Sequence, residues 1–201
     1  MCSIIGWNGD FDDDVVERLC YNSRIRGLHS FGYSYNDKGN IISKKFLEYE
    51  YFVNSLKDVK PNNFIAHFRY STSGDYKDQN NNQPITKDNI SMVFNGVLDM
   101  RSKQEMQEYY NTNMTTDNDG ELAIIHKLKS DILFIDFVKN KSFAGAFLNS
   151  GGEIQVFRNI NRPAHIGEYK RAKVLASTKD ILNRSGIKKT KILECNKFIK
   201  L

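Results

Sequence analysis

Residues 2–7 read CSIIGW, preceded only by Met1 and followed by NGD at 8–10. The apolar run Ile4, Ile5 and Trp7 is too short for a helix and reads as a buried strand that a polar turn stops. A cysteine one step from the terminus is a separate matter. Removal of Met1 would leave Cys2 with both a thiol and a free α-amine. Taken alone, such a cysteine is no more than an N-terminal residue, so the rest of the chain has to decide.

The 201 residues fit one large domain, with 40% hydrophobic and 26% charged residues in ordinary globular proportion. No apolar run approaches a membrane span. The start has no basic flank of the kind that opens a signal peptide, so an intracellular, cytoplasmic protein is expected. Three cysteines, Cys2, Cys20 and Cys195, form neither a disulfide framework nor a zinc spacing, and the four histidines show no HxxxH pair. No metal or cofactor is expected. The formal charge is +5, with an excess in GIKKTKILECNKFIKL (186–201). Lysines alternate there with apolar residues, which favours a solvated strand face over a nucleic-acid surface.

Outward from the first strand, DDDVVERLCYNSRIRG (12–27) has acids in its first turn and apolar Val15, Val16, Leu19 and Cys20 at helical spacing, with Gly27 as a stop. HSFGYSY (29–35) alternates as a strand, and NDKGN (36–40) turns into a further strand in IISKKFLEYEYF (41–52). FIAHFRYSTSG (64–74) and ISMVFNG (90–96) each run apolar and then break to polar. SKQEMQEYY (102–110) and DGELAIIHKLKS (119–130) read as helices. SFAGAFLNSGGEIQVFRN (142–159) reads as two strands around a glycine turn. AKVLAST (172–178) and TKILECNKFIKL (190–201) add strands around the small helix KDILNRSG (179–186). Antiparallel strand runs mixed with paired helices predict an α+β layered domain.

Four strand or helix ends then stand out: Cys2, HFRYSTSG (67–74), FNG (94–96) and NDGE (118–121). Each has an ordinary reading. An arginine at a strand end is commonly structural, Asn-Gly marks a tight turn, and Asp119 would cap a helix. Together they resemble the class II glutamine amidotransferases, whose glutaminase domain uses an N-terminal cysteine nucleophile. That family's CGIxG is matched by CSIIG, RGxDSxG by RGLHSFGY (26–33) and GHxRYxTxG by AHFRYSTSG (66–74). Its N-x-QP loop is matched by NNQPI (81–85), HNG by FNG and TDTE by NDGE. Its distal R(D/N)…RPxxxG and FASE are matched by FRNINRPAHIGE (157–168) and LAST (175–178). The motifs occur in family order over nearly the whole chain.

The resemblance implies a four-layer αββα sandwich of the N-terminal-nucleophile hydrolase type, with two mostly antiparallel sheets between helical layers. It also implies a single glutaminase domain over 1–201, with no synthase domain in this chain. By resemblance Cys2 is the nucleophile, while the Asn95 side chain and the Gly96 N–H hold the oxyanion. Arg69 and Thr72 bind the α-carboxylate end of glutamine, Asp119 binds its α-ammonium, and Arg26 lies near the nucleophile. The chemistry is consistent with those assignments. An unactivated amide needs a strong nucleophile, a proton acceptor and an oxyanion site. An α-amine titrates near ~8 and can accept the thiol proton without a histidine. A guanidinium can grip a carboxylate through two parallel hydrogen bonds.

Four positions depart from the family pattern: Ser3 for glycine, His29 for aspartate, Phe94 for the histidine before Asn95, and Gly120 for threonine. The expected activity is glutamine hydrolysis through a Cys2 thioester, with ammonia passed to a separate synthase and no direct nucleic-acid or membrane partner. Two alternatives stand beside it. One is a hydrolase of another γ-glutamyl or small amide on the same fold. The other is an inactive basic binding module on this scaffold.

Overall fold

The computed structural model describes residues 1–71 and 74–201. Strand β1 (Ser3–Asn8) leads into helix α1 (Asp13–Arg24), then β2 (Ser30–Asp37), β3 (Asn40–Phe46), α2 (Tyr49–Val59) and β4 (Asn63–Arg69). A second run comprises β5 (Ile85–Lys87), β6 (Ile90–Val97), α3 (Lys103–Tyr110), α4 (Gly120–Lys129), α5 (Asp131–Val138), β7 (Ser142–Asn149) and β8 (Ile154–Arg158). The chain finishes with β9 (His165–Tyr169), β10 (Ala172–Ala176), α6 (Lys179–Arg184), β11 (Lys189–Ile192) and β12 (Ile199–Lys200). Two antiparallel sheets result, ordered β11-β9-β10-β1-β4-β2-β3 and β12-β8-β7-β6-β5.

The two-residue period of the strands sorts their side chains into layers. In β1 and β4, Ile5, Trp7, Phe64, Ala66 and Phe68 pack against α1, α2 and α6 through Leu19, Phe52, Leu56 and Leu182. The alternate residues Ile4 and Ile65 meet Val93, Ala144, Ala146 and Val156 of the other sheet. On that sheet's far face, Met92, Phe94, Phe143 and Phe147 pack on Ala123, Ile124 and Phe134 of α4 and α5. Helices, sheet, sheet, helices: the four-layer α+β sandwich is the observed fold.

The strand expected over 41–52 is two elements. β3 stops at Phe46, and α2 follows because Phe52, Val53 and Leu56 recur at helical spacing and are buried. Asn95-Gly96 is likewise not a turn. Both residues lie inside β6, opposite Ala144 and Phe143 of β7.

The two sheets are tied by a closed ring of hydroxyls. Ser34 Oγ bonds Ser43 Oγ at 2.6 Å and Ser91 Oγ at 2.7 Å, and Thr86 Oγ1 bonds Ser43 at 2.7 Å and Ser91 at 3.0 Å. Ser34 and Ser91 are fully buried and depend on the ring for their partners, whereas Ser43 and Thr86 are exposed. Ser91→Ala removes two of these bonds and leaves the buried Ser34 hydroxyl with Ser43 as its one ring partner. It is expected to cost about 1–3 kcal/mol of unfolding free energy, measured by urea titration.

Candidate active site

Strand alternation brings the chemistry-bearing residues together. Ile4 and Ile65 face between the sheets, so Cys2 and then His67 and Arg69 share that face at one end of the sandwich. Val93 faces inward from β6, which turns Asn95 the same way. At this end a cavity of about 370 Å3 is lined by Cys2, Arg69 and Tyr70, by Gly96, and by Asp117–Asp119. Four of the expected residues, Cys2, Arg69, Gly96 and Asp119, therefore meet in one cavity although they lie on separate elements. Asn95 and Arg26 do not line it, and Thr72 falls outside the described residues.

Cys2 Sγ lies 3.7 Å from the Tyr70 carbonyl, and Arg26 Nε donates to the Cys2 carbonyl at 3.2 Å. Burial pushes the Cys2 thiol up. The Tyr70 backbone, the terminal ammonium and the charges of Arg69 and Arg162 pull against it. Met1 is exposed, its sulfur touched by Arg26 Nη2 at 3.7 Å and Arg162 Nη1 at 3.5 Å. While Met1 is attached, the Cys2 nitrogen is an amide and cannot act as a base.

Arg69 is buried and donates to Asn82 Oδ1. Asn82 is itself held by bonds from its Nδ2 to the Tyr76 carbonyl (2.7 Å) and to Gln79 Oε1 (3.1 Å). Its neighbours serve the other walls. Gln83 Oε1 accepts the Phe94 N–H at 2.6 Å, and Asn81 exchanges bonds with Asp117 at 3.0 and 3.3 Å. Sequence reasoning marked NNQPI only as a motif. Its three polar side chains are the brackets that fix Arg69, β6 and the 115–119 loop relative to one another.

Asp119 stands at the N-cap position of α4, but its side chain caps nothing there. Its Oδ2 instead accepts the Leu98 N–H at 2.6 Å and the Asp99 N–H at 3.0 Å. Burial pushes its carboxyl up despite those two donors. Glu121, also buried, accepts from Thr115 N, Thr116 N and Lys87 Nζ at 2.7–3.1 Å. Desolvation would raise its carboxyl, but these donors outweigh it and hold the group below the usual range.

Two buried polar groups beside the cavity have no hydrogen-bond partner: Asn95 Nδ2 and both ring nitrogens of His67. Asn95 sits between two residues that line the cavity, Phe94 and Gly96. Burial, reinforced by Arg69, pushes His67 down to about 3, so its ring is neutral at physiological pH. In the sequence His67 carries two signals, the strand period and its place in AHFRYSTSG (66–74), and neither assigns it a role. Gly96 has no left-handed backbone. Its requirement is space, because a Cβ there would lie 1.9 Å from the Ser142 carbonyl oxygen of β7.

Neither a protein-family model nor a curated protein matches the sequence. Solved structures do match the fold. One is the glutamine phosphoribosylpyrophosphate amidotransferase of B. subtilis, at TM-score 0.73 and 18% identity over the whole of this chain and 49% of that one. A second, described as the allosteric regulatory enzyme of purine biosynthesis, gives 0.77 and 20% over the whole of this chain and 48% of that one. A structure described as a glutamine aminotransferase class-II domain protein from Silicibacter pomeroyi gives 0.56 and 12%, covering this chain fully and 98% of the other. The chain has the class II glutamine amidotransferase fold. It spans about half the length of the first two relatives.

Within that amidotransferase fold, two of the departures are one packing event. A Cβ at Gly120 would lie 2.4 Å from the Phe94 ring and 2.8 Å from Ile85. The ring that replaces histidine thus fills the space a threonine would need. Ser3 places a buried hydroxyl without a partner on the helix-facing side of β1, a local cost with no contact in the cavity. Among the described residues no His, Cys, Asp and Glu group could hold a metal ion.

Gly120→Thr is expected to destabilise by about 1–3 kcal/mol through overpacking, and by less on a Phe94→Ala background. A double-mutant cycle in urea measures that coupling. Asp119 gives a pH signature. The resemblance makes Asp119 the ammonium-binding group and the Cys2 α-amine the base. Protonation of the amine sets the first acid limb of kcat/KM for glutamine. Protonation of Asp119, whose carboxyl is raised, should steepen that limb at a pH still above the ordinary aspartate range. Asp119→Asn should lose the steeper segment and keep the first limb.

Proposed function

We propose that this chain is a glutaminase that hydrolyses the side-chain amide of free glutamine to glutamate and ammonia. The supporting observation is the single cavity in which a thiol, a buried guanidinium, a glycine N–H strand edge and a buried carboxylate meet. Arg69 suits the α-carboxylate and Asp119 the α-ammonium of one amino acid, leaving its side chain for Cys2. After removal of Met1, the Cys2 α-amine accepts the thiol proton as sulfur attacks the amide carbon. The tetrahedral oxyanion is received by the Gly96 N–H and by the Asn95 amide, whose donor is unspent. Collapse expels ammonia, to which the ammonium returns the proton. Water then attacks the thioester with the amine as base, giving glutamate and the free thiol. No observation favours the alternative γ-glutamyl hydrolase or the inactive binding module.

We further propose that the ammonia goes to a separate acceptor enzyme docked over the Cys2 end. A continuous surface there runs from Arg26 to Met1 to Arg162, on to Ser142, and across the β6–β7 pairing to Val97. Segments RIRGL (24–28), KNKS (139–142) and RNINR (158–162) contain Arg24, Arg26, Lys139, Lys141, Arg158 and Arg162 and no acidic residue. Ile25, Leu28 and Ile160 are exposed among them. Arg158 is buried and Lys141 lies beside Asp99 and Asp119, so the cations open to a partner are Arg24, Arg26, Lys139 and Arg162. Interleaved with these aliphatic groups, they suit a protein face with acidic residues around an apolar centre. A single domain in the cytoplasm fits this role. No helix among the described residues is long and apolar enough to cross a membrane.

Purified protein whose intact mass shows Met1 removed should release glutamate and ammonia in equal amounts from glutamine. Cys2→Ala should lose about a thousandfold or more in kcat, and protein retaining Met1 should be silent. Undiminished turnover by either would refute the assignment.

A further inference from the structure

His29, which stands where the family pattern has aspartate, has a bonding pattern that the catalytic reading leaves unused. Its backbone N–H donates to the Arg69 carbonyl at 3.0 Å, one step beyond the Ser30–Arg69 pair that opens the β2–β4 ladder. Its ring nitrogen Nδ1 accepts the Ser71 N–H at 2.9 Å. A side-chain nitrogen thus does what a strand carbonyl would do and carries the ladder past the end of β4. Accepting at Nδ1 requires the neutral tautomer with its proton on Nε2. The ring is also clasped. Tyr70 and Tyr76 both stack on it, each at 4.9 Å between centroids and at 26° and 23°.

Both tyrosines lead back to the cavity. The Tyr70 carbonyl is the acceptor 3.7 Å from Cys2 Sγ. The Tyr76 carbonyl receives Asn82 Nδ2, and Asn82 Oδ1 holds Arg69. One imidazole therefore holds the backbone just after Arg69, at Ser71, and stacks on the two tyrosines whose carbonyls face the thiol and receive Asn82.

We propose that His29 is a positioning residue that sets Arg69 for the substrate carboxylate and the Tyr70 carbonyl against the Cys2 thiol, through the acceptor character of Nδ1. This inference rests on the glutaminase reading for its kinetic consequence but not for its geometry. Were the ring only a filler between two tyrosines, any apolar side chain of similar size would replace it. Because it is an acceptor, asparagine should replace it: Asn Oδ1 stands as many bonds from Cα as His Nδ1. Leucine should not.

The test compares wild type, His29→Asn and His29→Leu, all with Met1 removed. Loss of one oriented backbone contact beside the binding guanidinium should raise the glutamine KM of His29→Leu about tenfold, with kcat within about threefold, whereas His29→Asn stays within about threefold in both. A second arm needs no turnover. The rate of Cys2 alkylation by iodoacetamide, read on the N-terminal peptide, should change severalfold in His29→Leu and match wild type in His29→Asn. If His29→Leu does not fold, His29→Gln takes its place, since its carbonyl lies one methylene too far and should behave as leucine does. Equal KM and equal alkylation across the set would overturn the proposal, as would leucine and asparagine changing both to the same extent. A wild type that fails to hydrolyse glutamine would sink the glutaminase reading instead and leave the alkylation comparison to judge His29.

Discussion

The register between β1 and β4 is the constraint on which the site depends. Ser3 lies opposite Phe68 and Ile4 opposite His67. With side chains alternating across the sheet, that pairing places Cys2, His67 and Arg69 between the two sheets, and Ile5, Trp7, Phe64 and Phe68 against the helices. A slip of one residue would put the thiol and the guanidinium on opposite faces of the sheet. The register is held by burial, since Ile5, Trp7, Phe64 and Phe68 are each inaccessible to solvent. It is held also by Ser177, whose Oγ accepts the Ile4 N–H at 2.9 Å. The core on one face of the sheet thus aims the chemistry on the other.

Around that aimed pair the polar residues work as brackets more than as reactants. Asn81, Asn82 and Gln83 join three walls of the cavity, and Glu121 gathers the N–H groups of Thr115 and Thr116. Each is buried and bonded, so each is costly to remove and rigid while present. Against this background the exceptions are the His67 ring, which lines the cavity, and Asn95 Nδ2, which adjoins it. A donor left unspent at that place is the kind of preorganisation that an oxyanion site requires.

Much of this was legible in the sequence, for identifiable reasons. Cys2, Arg69, Gly96 and Asp119 each stand where an apolar run breaks, so their positions at element ends could be read before their meeting could. The layered α+β class followed from strand alternation. What escaped was tertiary. Helix α2 is rich in Tyr, Phe and Val, whose β propensity disguised its helical spacing. Asn95-Gly96 has the composition of a turn, and only pairing with β7 makes it a strand. Asp119 has the chemistry of a cap, but the N–H groups it serves belong to Leu98 and Asp99. The coupling of Phe94 to Gly120 could not be seen from either residue alone. His67 stood in the matched motif AHFRYSTSG (66–74), but the motif gave it no role, and its burial against the cavity is tertiary.

The central claim is covalent: the sulfur of Cys2 carries the glutamyl group between ammonia release and hydrolysis. Acid quenching during steady-state turnover, followed by mass analysis of the N-terminal peptide, tests it most directly. The account predicts a population of that peptide heavier by one glutamyl group in thioester linkage and released by hydroxylamine. Steady ammonia release with the N-terminal peptide unmodified, or with the glutamyl group on the peptide containing Cys195, would contradict it.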